Sequence, residues 1–580
     1  MRDVFNHVIR DVGRLHALSV AGDLAFFGGL TDSQLFDVCD SQLQDLLVSI
    51  EGRNRVFSRV ETLSDRQNGS LRNCLSGLYR LIWGADGRES DFPDVAAFAS
   101  LYQVWSLLSK YGSGEITSEM QENAAKSYLQ IEDEMGDPKL SQDLVRLCRA
   151  EIARVMDQPW PEFLGRHGPG SVAEGALPSG EKFRWTAVPS VDPLAFHCLR
   201  EYYAHEDAPR YGSFVGKLPD GKCSRWLCVP KTRRKVRAIC AEPALLQYLQ
   251  QSVGRRIAFA CRLSPFCGAD TSRQDTNARL ALEASNHGYF CTLDLSSASD
   301  RLSLPLVKAL VSDELYGILT SARSDRTCMP DGRVIELKKF GSMGNATTFP
   351  VQSLVYWALL VALMRASGAS IAESRTSVYA YGDDIIMPST YARPAMTLLS
   401  DAGLKVNVGK SFVSGSFRES CGMHAYRGHE VTPAYLRTSR SSGPSLVSMC
   451  SCANQLSKRG FDAAAEALYI RIEQTLGCRL PVVGERYGAL IGRQTQLARV
   501  MQSDDISFLV QCNEERGIRV RRSRTQYLTV RAFGLYELKT KQRSNTLTCW
   551  ADLWALTQGR GGLTDRGLIT GCVALSQRDI

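Results

Sequence analysis

A chain of 580 residues is several times longer than one compact core usually grows, so it is expected to fold as more than one subdomain. Its 44% hydrophobic and 22% charged content fits a globular protein with a sizeable core and excludes a disordered chain. A net charge of +8, from 69 basic against 61 acidic residues, is too mild to name a partner. The 18 cysteines include no CxxC pair and the eight histidines are isolated, which argues against structural zinc and for free thiols in a reducing compartment.

The first twenty residues lack the apolar core of a signal peptide, and the longest apolar run, 354–364, is about half of a bilayer span. The chain is therefore expected to be cytosolic and unanchored. Residues 1–160 read as helices with polar linkers, most clearly over 94–111 and 141–156, where apolar residues recur at helical spacing. Gly165, Gly168, Pro169, Gly170, Pro178 and Gly180 then mark a boundary. Residues 289–295 (YFCTLDL) form a β-prone run and 296–310 are expected to continue as one helix. A buried helix is expected over 347–366, and a β-hairpin whose apolar arms flank Tyr381-Gly382-Asp383-Asp384. Beyond a loop at 438–445 the chain reads as mostly helical. A helical start, an α/β centre and a helical end give an α+β protein with subdomains around a central sheet.

The chemistry centres on carboxylates. Asp294 closes a strand and the YGDD turn sets Asp383 beside Asp384; adjacent acids at the tip of a buried hairpin repel unless a cation lies between them. Hard cations such as Mg2+ take oxygen ligands, and two ions about 3.5–4 Å apart serve both oxygens of an in-line phosphoryl displacement. Asp294 and Asp383 are expected to bridge two such ions, with Asp384 adjacent and Mn2+ able to substitute. Asp300, six residues after Asp294, is within reach of a nucleotide sugar.

Three further segments fit a nucleotide site. In 341–352 (GSMGNATTFPVQ) the glycines permit close backbone approach, and Ser342, Asn345 and Thr348 offer hydrogen bonds. In 230–237 (PKTRRKVR) Lys231, Arg233, Lys235 and Arg237 alternate as on one face of a strand, aiming cations at a triphosphate. Lys410 follows a turn at Gly409 and is a candidate proton donor to leaving pyrophosphate. Near the C-terminus, Arg519 and Arg521 alternate with Ile518 and Val520, as expected either of a strand that contacts nucleic-acid phosphates or of a solvated edge strand kept from aggregating by its arginines.

In this order the basic segment, DLSSASD, SMGN with its following Thr and Gln, YGDD and the downstream lysine resemble motifs F, A, B, C and D of viral RNA-dependent RNA polymerases. CVPKTRRKVRAICAEP, TLDLSSASDRLSL, YGDDIIMPS and FRESCGMHAYRGHEVTP are similar to the replicase catalytic subunit of small positive-strand RNA bacteriophages. The resemblance implies a right hand of fingers, palm and thumb with an antiparallel palm sheet. The divisions are then an N-terminal region 1–160, fingers 161–288, palm 289–437 with a fingers insertion at 311–340, and thumb 438–580. It implies Asp294, Asp383 and Asp384 as metal ligands, and Lys410 as a catalytic residue. Lys231, Arg233, Arg234, Arg237, Asp300, Ser342, Gly344, Asn345, Thr348 and Gln352 become nucleotide-binding residues, and 417–422 lies near the growing strand. Gln352 stands where many such enzymes have Asn. The implied partners are RNA template and product, ribonucleoside triphosphates, and host elongation factors Tu and Ts with a ribosomal protein. The implied location is the cytoplasm of an infected bacterium. Reverse transcriptase is the rival enzyme, but residues 296–299 are all small where such enzymes carry a bulky aromatic. An inactive polymerase-fold RNA-binding protein is the rival without catalysis, and the retained carboxylates weigh against it.

Overall fold

The computed structural model describes residues 1–51, 75–84, 89–112, 115–158, 165–168, 170–175, 182 and 222–476, and three short strands at Leu528–Arg531, Gly534–Tyr536 and Ala574–Leu575. Contacts divide the chain into two compact units, one of residues 1–46, 55–114 and 433–580, the other of residues 47–54 and 115–432. Arg519 and Arg521 lie outside the described residues.

In the first unit, helix α1 (Arg2–His16) buries Val4, Phe5, Val8, Ile9 and Val12, a spacing that puts all five on one face. Phe5 meets Phe27 edge-on at 5.0 Å, and Phe27 meets Trp105 at 6.1 Å. The expected helix near residue 100 is Val95–Ser106, capped by the Asp94 carboxylate, which accepts from the Ala97 N–H at 3.0 Å. Asp11 of α1 reaches the helix Asp462–Leu476 and accepts from the N–H groups of Ala463 and Ala464 at 3.2 and 2.9 Å. A carboxylate from a residue far away in sequence thus satisfies the open amides at that helix N-terminus.

Among its described residues the second unit holds three antiparallel or mixed sheets. Strands β1 (Cys223–Pro230) and β2 (Val236–Ala241) form a hairpin, and β4 (Arg326–Cys328), paired to β5 (Val334–Glu336), lies parallel to β1 in the order β2-β1-β4-β5. The central sheet runs β3 (Phe290–Leu293), β7 (Asp384–Pro388), β6 (Tyr379–Tyr381), all antiparallel neighbours. A third runs β10 (His429–Glu430), β9 (Met423–Tyr426), β8 (Phe417–Ser420). Helices and antiparallel sheet in one chain make the expected α+β class.

The expected buried helix is Thr348–Ala366, with every residue from Pro350 to Ala362 buried. It packs against Gln142–Met156, Ala244–Leu263 and Ala392–Asp401 and against β6. It is long and apolar enough to cross a membrane, yet its residues lie within an extensive buried hydrophobic cluster. Glu151 lies in the wall of this core with no side-chain exposure. It accepts from Arg375 at 2.8 and 3.0 Å and from Arg365 at 2.9 Å, with Arg154 at 3.3 Å.

Two expectations about elements are corrected. Residues 296–310 are not one helix but two short ones, Ala298–Arg301 and Leu304–Leu310. Ser303 caps the second, accepting from the Leu306 N–H at 3.2 Å, and Pro305 occupies its first turn, where a missing N–H costs nothing. The basic segment 230–237 is not one strand but the end of β1, a turn over 231–235 and the start of β2. The N–H groups of Lys231 and Thr232 both donate to the Lys235 carbonyl, at 3.1 and 2.9 Å, closing the turn.

Candidate active site

The central sheet places the acids. The β3–β7 register pairs Leu293 with Ile385, so its continuation sets Asp294 opposite Asp384. Tyr381 pairs with Asp384 across a two-residue turn, Gly382-Asp383. Gly382 has φ 65°, and a Cβ there would come 2.5 Å from Phe349 Cε2. Its N–H donates to Ser353 Oγ at 2.8 Å. Only glycine meets both demands, which fixes the tip on the buried helix and leaves Asp383 exposed.

Residues 405–412 run along the free edge of β3 and grip Asp294. The Asn407 amide donates to Asp294 Oδ2 at 2.7 Å and its N–H to the Asp294 carbonyl at 2.8 Å. The Asp294 N–H donates to Ser411 Oγ at 3.1 Å. Neither Asn407 nor Ser411 carried a signal in the sequence beyond lying one turn from Lys410.

Burial pushes the Asp294 carboxyl up to about 7, with repulsion from Asp383 and Asp384 adding to it against the pull of Lys410 and Asn407. Burial likewise lifts Asp384 to about 6, where Asp383 and Glu419 add and the Cys421 N–H opposes. Lys410 is raised above the ordinary lysine value, first by Glu419, with Asp294, Asp384 and Asp383 also attracting it and burial opposing. Lys231 is lowered, first by loss of solvent, then by Arg237, Lys410 and Lys235, while Asp294 pulls it back up. Asp294, Asp383, Asp384, Lys410 and Lys231 therefore feel one another, and Glu419 joins them from the β8–β9 hairpin. That hairpin turns through Cys421 and Gly422, both left-handed with φ 51° and 81°.

The acids fit a hard cation by chemistry. Repelling carboxylates at an open turn are relieved by positive charge, and oxygen is the donor Mg2+ prefers. Among the described residues no three acids or other ligating side chains close on one point. That suits Mg2+, which usually takes one or two carboxylates and completes its sphere with phosphate and water. Both raised carboxyls hold protons in the folded state that an unfolded chain releases near the ordinary Asp value of about 3.9. Without divalent cation, stability should fall as pH rises from about 4 to about 7. Mg2+ bound there would replace those protons, so it should raise the melting temperature more at pH 8 than at pH 5.5. Thermal scans at both pH values check this, and equal shifts would argue against these carboxylates as ligands.

The 341–352 segment is placed beside the acids but its polar groups are turned inward. Ser342, Asn345, Thr348 and Gln352 are all buried. Ser342 Oγ lies 2.8 Å from the Tyr128 hydroxyl, and Asn345 donates to Glu242 Oε1 at 3.2 Å while accepting from Thr347 N–H at 2.9 Å. Thr348 Oγ1 donates to the Ser342 carbonyl at 3.5 Å, and Gln352 Oε1 accepts from Ser299 at 3.2 Å. Gly344, at φ 118°, sits so close to β2 that a Cβ would lie 2.2 Å from the Cys240 carbonyl. These bonds within the protein hold the loop in one shape. Asp300 pairs with Lys339 at 3.4 Å and not with Gln352. Arg233 and Arg234 lie in the β1–β2 turn and Arg237 in β2.

Residues 217–460 match the family described as RNA replicase, beta-chain. The chain is 40% identical over 209 residues to the RNA-directed RNA polymerase subunit beta of Enterobacteria phage SP, covering 36% of this chain and 35% of that one. It is 42% identical over 209 residues to the RNA-directed RNA polymerase beta chain of Escherichia phage MS2, covering 36% and 37%. Over 367 residues it is 32% identical to the RNA-directed RNA polymerase subunit beta of Escherichia virus Qbeta, covering 61% and 60%. The chain thus spans little more than a third of the first two relatives. The matched segment contains both strands of the basic hairpin, Asp294, the YGDD turn and Lys410, and bears out the resemblance read from those motifs.

Proposed function

We propose that this chain synthesises RNA on an RNA template, transferring nucleotides from ribonucleoside triphosphates to a growing strand. One observation carries the reading: Asp294 at a strand end and the YGDD tip face each other across adjacent strands, with Lys410 and Lys231 in the same electrostatic field. Two Mg2+ ions, or Mn2+ in their place, when held by Asp294, Asp383 and Asp384, would supply the charge stabilisation that phosphoryl transfer needs. Asn407 and Ser411 hold Asp294 in one orientation, which spares reorganisation on binding. Lys231 and Arg237 offer cations to the triphosphate, and Lys410 gives a proton to the leaving pyrophosphate. Asp300 accepts from the ribose 2′-hydroxyl, and the small residues at 296–299 leave room for it, which favours RNA over DNA synthesis.

The relatives are named as beta chains or subunits. This chain is accordingly proposed to work with further subunits, host elongation factors Tu and Ts and a ribosomal protein, in the cytoplasm of an infected bacterium. The purified chain, given RNA, four ribonucleotides and Mg2+ with and without bacterial extract, should make a full-length complementary strand in at least one condition. No product under either condition, or equal use of deoxyribonucleotides, would overturn the proposal.

A further inference from the structure

Behind Asp300 lies a buried ammonium. Lys339 has no side-chain exposure. Its Nζ is 3.4 Å from Asp300 Oδ1, 3.3 Å from Glu132 Oε1 and 3.4 Å from the centroid of the Tyr128 ring. An ammonium out of water is costly unless paired, and here two carboxylates and an aromatic face compensate it.

The backbone around Lys339 is tied on every side. Leu304 N–H donates to the Lys338 carbonyl at 2.9 Å and Phe340 N–H to the Leu302 carbonyl at 2.7 Å, which pins 338–340 to the exit of the Asp300 helix. Arg323 donates to the Lys339 carbonyl at 3.1 Å, and Glu132 Oε2 accepts from the Lys338 N–H at 2.8 Å. Tyr128 bonds Ser342 through its hydroxyl, so the ring beneath the ammonium also holds the 341–352 loop.

The network opens in one direction. Side-chain exposure is 0% at Lys339, 8% at Glu132 and 16% at Asp300. Asp300 is thus the most exposed of the three, with Oδ1 held by Lys339. A carboxylate free to rotate would find new partners when a substrate lacks a hydroxyl. A carboxylate fixed from behind cannot, and the penalty for an unmet acceptor is then felt in full.

We infer that Lys339 is a positioning residue for ribose selection, holding Asp300 toward the 2′-hydroxyl, with Glu132 and Tyr128 holding Lys339 in turn. The inference rests on the proposal that the chain makes RNA and that Asp300 reads the sugar.

The test measures kcat/KM for ATP and dATP on an RNA template, with the full chain and bacterial extract if activity requires it. Lys339→Met should narrow the ATP-to-dATP ratio by about tenfold or more, the loss falling chiefly on ATP. Glu132→Gln should narrow it in the same direction by less. Adding Lys339→Met to Asp300→Ala should narrow it little beyond Asp300→Ala alone, because the two act as one unit. A merely structural lysine predicts ATP and dATP falling together, and an unchanged ratio in a folded Lys339→Met protein would overturn the inference. Where Lys339→Met fails to give a cooperative melt, an unchanged ratio in Glu132→Gln overturns it instead. Asp300→Ala separates the layers. If its ratio stays at the parent value, the sugar-reading role of Asp300 is wrong and the inference goes with it. If it narrows while the lysine variant does not, the inference alone is lost.

Discussion

Asp383→Asn should reduce nucleotide incorporation by at least about a thousandfold, since a metal site's contribution to charge stabilisation amounts to several kcal/mol. The substitution keeps shape and removes one charge. Asp383 sits at the exposed tip, and the turn that carries it depends on Gly382, Ser353 and Phe349. The fold should therefore survive. Its loss removes one repulsive neighbour from both Asp294 and Asp384, so the metal-free melting temperature should hold or rise slightly. Primer extension, RNA affinity and thermal melting on one preparation test the whole statement. Extension at more than a small fraction of the parent rate would remove Asp383 from the metal set, whatever the melting showed.

The largest expected loss of stability lies elsewhere. Glu151→Ala leaves Arg154, Arg365 and Arg375 crowded without their common carboxylate. Breaking a buried ion pair from one side costs about 3–5 kcal/mol, and the lower figure is expected because the arginines keep partial access to water. Burial pushes the Glu151 carboxyl up, but Arg375 and Arg154 outweigh it and hold the group below the usual glutamate range. A depressed folded value means that this contribution is present above the unfolded value of about 4.3 and fades as pH falls through the folded one. Urea unfolding should show a wide gap between parent and variant at pH 7 that closes in acid. A constant gap would mean that packing, not charge, is what Glu151 provides.

The parts of the site that sequence made legible are those built by neighbours in the chain. The YGDD turn could be read because two short apolar arms flank a glycine and an acid, and the hairpin they form has that glycine at positive φ. The helix Thr348–Ala366 could be read because residues 354–364 form one apolar stretch without a charge or a glycine. Alternating cations in 230–237 look the same whether the chain runs straight or turns. Nothing local announced that Lys235 would accept from both Lys231 and Thr232. The break at Ser303 was readable in principle, since a serine two residues before a proline is a helix start. Residue type told which groups in 341–352 could form hydrogen bonds but not with whom, and the structure pairs them with Tyr128, Glu242 and Ser299, none adjacent in sequence. Asn407 and Lys339 escaped for the same reason: each matters through a partner more than thirty residues away.

The helix Thr348–Ala366 carries a consequence for how the protein is made. Two of its coverings, Gln142–Met156 and Ala244–Leu263, precede it in the chain, but Ala392–Asp401 follows it. During synthesis the helix leaves the ribosome before that last covering exists. At a few to about twenty residues per second, its bare flank persists for seconds. In that interval it has the length and apolarity by which membrane-insertion machinery and holdase chaperones select their clients. Ribosome-bound chains halted once the helix has cleared the exit tunnel, but before Ala392–Asp401 has, should therefore be captured by such factors far more than chains halted after both are out.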